Sequence, residues 1–335
     1  MKRNIGIVGY GYWGPNLARN FASHPECVVK RIAEVDPNQR AKAEMSWPHS
    51  EVVAHASQIL TAPDIDIAVI ATPVSTHFEL TMTALRHGKH VWVEKPVAAT
   101  SDEARRIADE AAKRRLTVIT DHTFLFTGPV MKMKEIVESG EMGSLLYYDS
   151  VRVNLGMFQH DVNVLWDLAT HDLAIINYLV KDRPTTVSAI GSSHFNSHID
   201  VGYLTLWYND NFIAHFHANW LSPVKIRRTL VGGAQRMLVW DDGEREEKIK
   251  IYDKGVKVFN REGVYQMLAT YRVGDMRSPL LSTGEALARE VGYFIDCIDH
   301  GRSPHNDALA GMRVVEILEA ADRSLALNSA PVELP

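Results

Sequence analysis

Apolar and polar positions alternate along the first third of the chain in two rhythms that take turns. Short apolar runs at Asn4–Val8, Val28–Val35, Ile65–Ala71, His90–Glu94 and Leu116–Thr120 have the length and composition of buried strands. Between them, apolar residues recur at helical spacing: from Pro15 through Leu17, Ala18 and Phe21, then over Pro37–Ser46, Ser57–Thr61, Thr76–His87 and Ser101–Arg114. Strands separated by helices predict a doubly wound parallel sheet with right-handed crossovers. One strand end is marked sharply in Val91-Trp92-Val93-Glu94-Lys95-Pro96. Proline has no N–H for a ladder and disfavours helix before it, so the strand stops there and leaves Lys95 at the rim of the sheet.

From about Asp121 the rhythm changes. Helices are expected at Pro129–Ser139, Asn163–Val180, Thr283–His300 and Asp307–Leu327. Between them lie strand-like runs at Leu145–Val153, Thr186–Ser192, Val201–Tyr208, Phe212–His217, Arg227–Val231, Arg236–Trp240 and Glu246–Tyr252, with Asn209-Asp210-Asn211 as a hairpin turn. Period-two alternation predicts an α+β region with a large, mostly antiparallel open sheet covered on one face. The other face suits a second subunit, so a homo-oligomer, dimer or tetramer, is expected. The division falls between residues 1–121 and 122–335.

Composition narrows the class. The 335 residues are 46% hydrophobic and 23% charged, as in ordinary globular chains. Lys and Arg number 36 against 41 Asp and Glu, and no long basic stretch occurs, which argues against a nucleic-acid partner. Cys27 and Cys297 stand far apart, so a reducing compartment is expected and a disulfide framework is not. Lys2 and Arg3 precede an apolar run, but Gly6, Gly9, Gly11 and Gly14 interrupt it, unlike a secretory signal. No run reaches transmembrane length, so no membrane partner and a cytoplasmic location are expected.

Between the first strand and the first helix lies Gly9-Tyr10-Gly11-Tyr12-Trp13-Gly14. Gly9 permits the tight turn, Gly11 lets the backbone approach a pyrophosphate, and Gly14 lets helix and strand pack closely; the helix N-terminus then faces the phosphates. The second strand ends on Asp36, 22 positions after Gly14, where a carboxylate can take bonds from ribose hydroxyls. This is a Rossmann-type dinucleotide site. Asp36 would repel a 2′-phosphate, so NAD(H) is preferred to NADP(H), although Arg40 stands close enough to soften the preference. Thr72, Pro73 and Lys95 follow strand ends on the same edge, where open parallel sheets bind ligands.

A second constellation is Trp166-Asp167-Leu168-Ala169-Thr170-His171-Asp172. Asp167 and His171 are four apart and share a helix face. A carboxylate beside an imidazole can make it a general acid/base near neutral pH, or the two can simply be a helix-stabilising pair on a solvated face. A zinc site from His160, Asp161, Asp167 and His171 lacks a third ligand at convincing spacing, so no metal is expected. His215 and His217 share a strand face and more plainly fill a sheet surface.

Taken together, GYGYWG, Asp36, Ala71-Thr72-Pro73 with His77, Glu94-Lys95-Pro96 and Asp167-x-x-x-His171 resemble the glucose–fructose oxidoreductase/inositol dehydrogenase/rhizopine-catabolism (Gfo/Idh/MocA) family over nearly the whole chain. The resemblance implies that Gly9, Gly11, Tyr12, Trp13, Gly14, Asp36, Thr72, Pro73, His77, Glu94 and Lys95 hold the cofactor, with a cis bond before Pro96. It implies that Lys95, which reaches both nicotinamide and substrate, and His171 are catalytic: His171 takes the hydroxyl proton as hydride leaves for the nicotinamide, and Lys95 holds that oxygen. Asp167 would orient the substrate or His171. Tyr148–Gly156 leading to Asp161-Val162-Asn163 looks like the branch acting on nucleotide-linked sugars, commonly at C3, which makes Arg152, Asn154 and Asn163 candidates for binding sugar, carboxylate or phosphate. Polar residues satisfying a strand end and a loop would look the same. His122-Thr123-Phe124 departs from the Asn/Arg-rich version of many sugar dehydrogenases in the family, and His122 joins the substrate candidates. A free-sugar or cyclitol dehydrogenase and an NAD-dependent glycosidase with transient C3 oxidation are the alternatives.

Overall fold

The computed structural model describes residues 2–156, 162–195, 197–253, 255–258, 269–272 and 274–335, and of 255–258 and 269–272 the backbone alone. The chain forms two compact units, Met1–Phe126 with Gly284–Glu319, and Thr127–Thr283 with Ala320–Pro335.

The first unit is built on six strands: β1 (Arg3–Val8), β2 (Cys27–Ala33), β3 (Glu51–Val53), β4 (Ile67–Ile70), β5 (His90–Val93) and β6 (Val118–Thr120). Their order is β3-β2-β1-β4-β5-β6, and every pairing is parallel, as the alternating rhythm predicted. Helices α1 (Gly14–Ser23), α2 (Pro37–Ser46), α3 (Ser57–Leu60), α4 (His77–Arg86) and α5 (Ser101–Arg114) make the crossovers. Near-continuous apolar strands belong to a sheet covered on both faces, and β4, Ile-Ala-Val-Ile, is buried at every position. The strand β3 escaped the sequence reading because three residues carry too little periodicity to stand out.

The expected boundary between residues 121 and 122 is corrected by the return of Gly284–Glu319 to this unit. The physical reason is the core. Helix α8 (Ala286–His300) places Leu287, Val291, Phe294 and Ile295 in one buried cluster with Ile5, Ile7, Phe21, Trp92 and Ile119. Trp92 meets Phe21 at 5.4 Å and Phe294 at 5.8 Å, both edge to face, a favoured geometry for aromatic pairs. Truncating a buried tryptophan of this kind costs about 3–5 kcal/mol. At the sheet edge, the Thr120 N–H donates to the Asn306 carbonyl oxygen, the Asn306 side-chain amide donates back to that of Thr120, and Ile119 bridges Asp307, which covers β6. Helix α9 (Ala308–Ala326) begins in this unit and ends in the other. These intervals lie far apart in sequence, so local patterning could not assign them.

In the second unit, α6 (Gly128–Glu138) precedes β7 (Leu145–Leu155). After α7 (Thr170–Leu179) come β8 (Thr186–Ser192), β9 (Val201–Trp207), β10 (Ile213–Asn219), β11 (Leu221–Gly233), β12 (Met237–Asp241), β13 (Ile249–Tyr252), β14 (Gly255–Val258), β15 (Ala269–Arg272), β16 (Met276–Arg277) and β17 (Val332–Glu333). Nine of them form one sheet, β16-β13-β12-β11-β7-β10-β9-β8-β17, and β14 pairs with β15 separately. The sheet is antiparallel except where β10 runs parallel to β7. Alternation holds on β9 and β10: Gly202, Leu204, Leu206, Ala214, Phe216 and Ala218 are buried, while Tyr203, Trp207 and Ile213 are exposed on the other face.

No helix among the described residues is long and apolar enough to cross a membrane. The described residues hold no group of three His, Cys, Asp or Glu side chains placed to bind a metal; His160 and Asp161 lie outside them.

Candidate active site

The glycine-rich turn has the geometry that its spacing predicted. Gly9 sits at φ +95°, in the left-handed region, and a Cβ there would lie 2.5 Å from the Ala71 carbonyl oxygen. A Cβ on Gly14 would lie 2.4 Å from the Gly9 carbonyl oxygen. Gly11 differs: a Cβ there would meet nothing within 4 Å. Two of the three glycines are thus required by the protein itself, and the third leaves backbone bare toward open space. Helix α1 starts after Trp13 with no side chain capping it, so its first N–H groups are not taken by a capping side chain. Tyr12 and Trp13 stand exposed beside it, edge to face at 5.4 Å. Open backbone at Gly11 and an uncapped helix start suit a pyrophosphate, and NAD fits this cradle.

Asp36 caps α2, its Oδ1 accepting from the N–H groups of Asn38 at 2.8 Å and Gln39 at 3.0 Å. Arg40 turns its guanidinium to the carbonyl oxygens of Glu34 at 2.8 Å and Val35 at 3.3 Å. Glu34 is the residue the sequence reading missed. Its buried carboxylate accepts from the Tyr10 N–H at 2.6 Å and the Asp36 N–H at 2.8 Å, joining the glycine-rich turn to the cap of α2. The available signal was an acid directly after the apolar strand Cys27–Ala33.

Lys95 is half-buried just past β5, and its bond to Pro96 is cis, as the resemblance implied. Thr72 follows β4, with its hydroxyl 2.7 Å from that of Thr76. His77 is fully buried, with Nδ1 2.8 Å from the Pro96 carbonyl oxygen and Nε2 2.8 Å from that of Thr72. It was expected to hold the cofactor; instead its ring is enclosed by the protein.

Behind Lys95 lies a set of carboxyls that the sequence did not disclose. Glu94, Asp121 and Glu290 are all buried. Burial first, and then the neighbouring Asp121, push Glu94 well above the carboxylate range, and the two side chains share a hydrogen bond. Glu290 is raised for the same reasons, with its Oε1 accepting from the His122 N–H at 3.1 Å and the Asn306 amide at 2.8 Å. Burial also raises Asp121, against hydrogen bonds from Thr123 and Glu94. Burial and mutual repulsion among three neighbouring carboxyls oppose ionising them together and favour their protonated forms. A charged residue on the apolar stripe Leu287–Val291–Phe294 was the sequence signal for Glu290. His122, expected near substrate, is 2% exposed, and neither ring nitrogen has a hydrogen-bond partner among the described residues. Burial, then the charges of Lys95 and His305, push it down to about 3, so the ring is neutral.

In the second unit the expected helix Asn163–Val180 opens with a π-helical turn, Leu165–Ala169, before α7. Such wide turns interrupt the regular ladder and recur at functional sites. Asp167 lies in this turn and His171 in the first turn of α7, both half-buried. Asp167 Oδ2 accepts from the indole N–H of the buried Trp220 at 3.0 Å, which fixes the carboxylate. Asn163 caps the turn through the N–H groups of Leu165 at 3.0 Å and Trp166 at 3.2 Å, and donates to Asp322 at 2.9 Å. The Trp166 indole donates to the same Asp322 at 2.7 Å. Arg152 is 3% exposed and grips Asp172 with two bonds, Nε at 2.7 Å and a terminal nitrogen at 2.9 Å. Arg152 and Asn163 therefore spend donors inside the fold, the latter case being the polar strand-end and loop role left open by the sequence. Asn154 is half-buried near the end of β7.

Known proteins match this arrangement. Residues 3–122 match the oxidoreductase family with an NAD-binding Rossmann fold, and residues 130–239 its GFO/IDH/MocA C-terminal domain. The chain is 25% identical over 317 residues to the UDP-N-acetylglucosamine 3-dehydrogenase of Acidithiobacillus ferrooxidans, covering 92% of this chain and 93% of that one. It is 27% identical over 200 residues to the levoglucosan dehydrogenase of Pseudarthrobacter phenanthrenivorans, spanning 53% of this chain and 51% of that protein. An uncharacterized oxidoreductase of Streptococcus pneumoniae serotype 4 is 24% identical over 226 residues, covering 62% of this chain and 60% of that one. The fold is shared with the solved UDP-N-acetylglucosamine 3-dehydrogenase from Acidithiobacillus ferrooxidans (TM-score 0.83, 20% identity, 98% of this chain and 100% of that one). A levoglucosan dehydrogenase in complex with NADH and levoglucosan shares it as well (TM-score 0.85, 21% identity, 100% of each chain). With its NAD-binding Rossmann unit and the matching C-terminal domain, the chain belongs to the Gfo/Idh/MocA family of oxidoreductases.

Proposed function

We propose that this protein transfers a hydride between NAD(H) and a secondary alcohol or ketone of a sugar, with C3 of a nucleotide-linked sugar as the favoured position. The observation that carries the reading is the near full-length likeness to a UDP-N-acetylglucosamine 3-dehydrogenase, with Lys95, Asp167 and His171 all present. When bound, the nicotinamide supplies the hydride-accepting carbon. Loss of hydride turns an alcohol into a carbonyl, so the hydroxyl proton must leave through a group within hydrogen-bond reach. His171 takes that proton on a ring nitrogen, and Lys95 holds the oxygen with its ammonium while negative charge develops there. Asp167, fixed by Trp220, orients His171 or a sugar hydroxyl. Asn154 and the neutral His122 are the remaining candidates for substrate contact, while Arg152 and Asn163 support the surrounding structure. Asp36, acting with Glu34, favours NAD(H) over NADP(H).

The test is a panel of UDP- and dTDP-sugars, free sugars and polyols, followed by NADH absorbance with the oxidised carbon identified. Turnover on a nucleotide sugar with a C3 ketone as product supports the reading. Turnover confined to free polyols would move the substrate class to cyclitols. Cleavage of a glycosidic bond with tightly held cofactor and no net NADH would replace it with a glycosidase. We further propose a homo-oligomer formed through the sheet face carrying Tyr203, Trp207 and Ile213; light scattering showing a monomer would remove that part.

A further inference from the structure

The loop after β4 and the turn after β5 are joined by one buried ring. His77 is fully buried, and its two nitrogens address two different segments: the Pro96 carbonyl, one residue beyond Lys95, and the Thr72 carbonyl, one residue beyond Ala71. Ala71 in turn backs the phosphate turn, its carbonyl oxygen lying 2.5 Å from where a Gly9 Cβ would stand. The lysine-bearing turn and the segment behind the phosphate turn are therefore referenced to the same imidazole. We propose that His77 is a positioning residue, which sets Lys95 relative to the cofactor cradle without touching cofactor or substrate.

Both partners are carbonyl oxygens, which only accept. A neutral ring can satisfy one of them at a time; satisfying both takes a proton on each nitrogen. Burial opposes that second proton and the two carbonyls favour it. In either state the ring has no donor left for a ligand, and it has no exposed surface to offer one. An apolar side chain of similar size would fill the space but offer no donor to either carbonyl, and a buried acceptor left without one carries a desolvation cost.

The kinetic part of the test rests on the reading of Lys95 as catalytic; the exchange part does not. In His77→Leu, hydrogen exchange measured by mass spectrometry should rise about tenfold in peptides covering 71–77 and 94–99, the effect of one lost buried hydrogen bond. Peptides covering 9–14 and the second unit should exchange as in the wild type. NADH should bind within a few-fold of wild type. On the substrate found by the panel, kcat should fall about tenfold with KM little changed, and the isotope effect with C4-deuterated NADH should rise as hydride transfer becomes limiting. His77→Gln, which keeps one donor, should recover part of both changes; a role confined to stability would lower Tm without raising the isotope effect. Wild-type exchange at 71–77 and 94–99 in both variants would overturn the proposal. If Lys95→Ala turns over normally while exchange still rises in His77→Leu, the catalytic reading of Lys95 fails and the clamp stands.

Discussion

Around Gly9–Gly14 the local geometry is set by the backbone; around Asp167 and His171 it is set by side chains that bond to other side chains. In the first region, φ +95° at Gly9 and the tight approaches at Gly9 and Gly14 shape the turn, and a Cβ at either of those two positions would disturb it. In the second, Asp167 is fixed by Trp220, Asn163 by Asp322, and Arg152 by Asp172. A site made of main chain is specified by residue types that have few other uses. One made of polar side chains is specified by partners that can lie anywhere in the sequence.

The largest test of that contrast is chemical. Lys95→Ala and His171→Ala should each lower kcat by about 10²–10⁴, the usual worth of a positioned acid/base or charge-stabilising group, while NADH binding stays within a few-fold. Single-turnover rates and NADH titrations check it; normal turnover in both variants would end the catalytic assignment. Next comes Arg152→Ala. Removing one member of a buried ion pair strips Asp172 of its two-bond partner, so stability should fall by about 3–5 kcal/mol, and Arg152→Ala with Asp172→Ala should recover part of it. Should Arg152→Ala instead keep its Tm and raise only KM, the residue faces substrate after all.

A third pair sharpens the backbone side. Gly14→Ala places a Cβ against the Gly9 carbonyl, so strain of about 1–3 kcal/mol should appear in the melt. Gly11→Ala meets nothing in the protein, so its Tm should hold while NADH affinity falls. Equal affinity in Gly11→Ala would mean that the pyrophosphate lies elsewhere. The smallest effect concerns the buried carboxyls. Glu290 has a folded pKa well above that of the unfolded chain, so the native state keeps a proton that the unfolded state has released. The stability it contributes is whole below the unfolded value near 4.3 and is lost as pH rises through the folded one. Glu290→Gln cannot ionise, and thermal melts over a pH series should show a shallower decline toward alkaline pH. An unaltered slope would assign the decline to Glu94 and Asp121.

The same contrast explains what could be read in advance. The parallel sheet, the phosphate turn, the position of Lys95 and the broad second sheet were legible, because periodicity, glycine spacing and a proline each act within a few residues. The recruitment of Leu287, Val291 and Phe294 to the first core was not, since α8 lies nearly 200 positions from the Trp92 it covers. Asn163 and Arg152 looked like ligands for a sugar because an amide and a guanidinium serve a substrate and a neighbour equally well. His77 was placed with the cofactor by motif, and its two carbonyl partners, which lie on segments 19 and 5 positions away, carried no sequence signal.

Glu34 bears on how such a protein could be re-engineered. Its carboxylate holds both the Tyr10 N–H and the Asp36 N–H, so the glycine-rich turn and the start of α2 rest on one anchor. A designer who exchanges Asp36 to admit a phosphorylated coenzyme still leaves an acid beneath the pocket. Removing that acid as well would release the turn. On the proposed reading of Asp36 as the acid that favours NAD(H), coenzyme choice and the integrity of the glycine-rich turn become a single trait, and a switch must supply a new partner for Tyr10 along with a new residue at position 36.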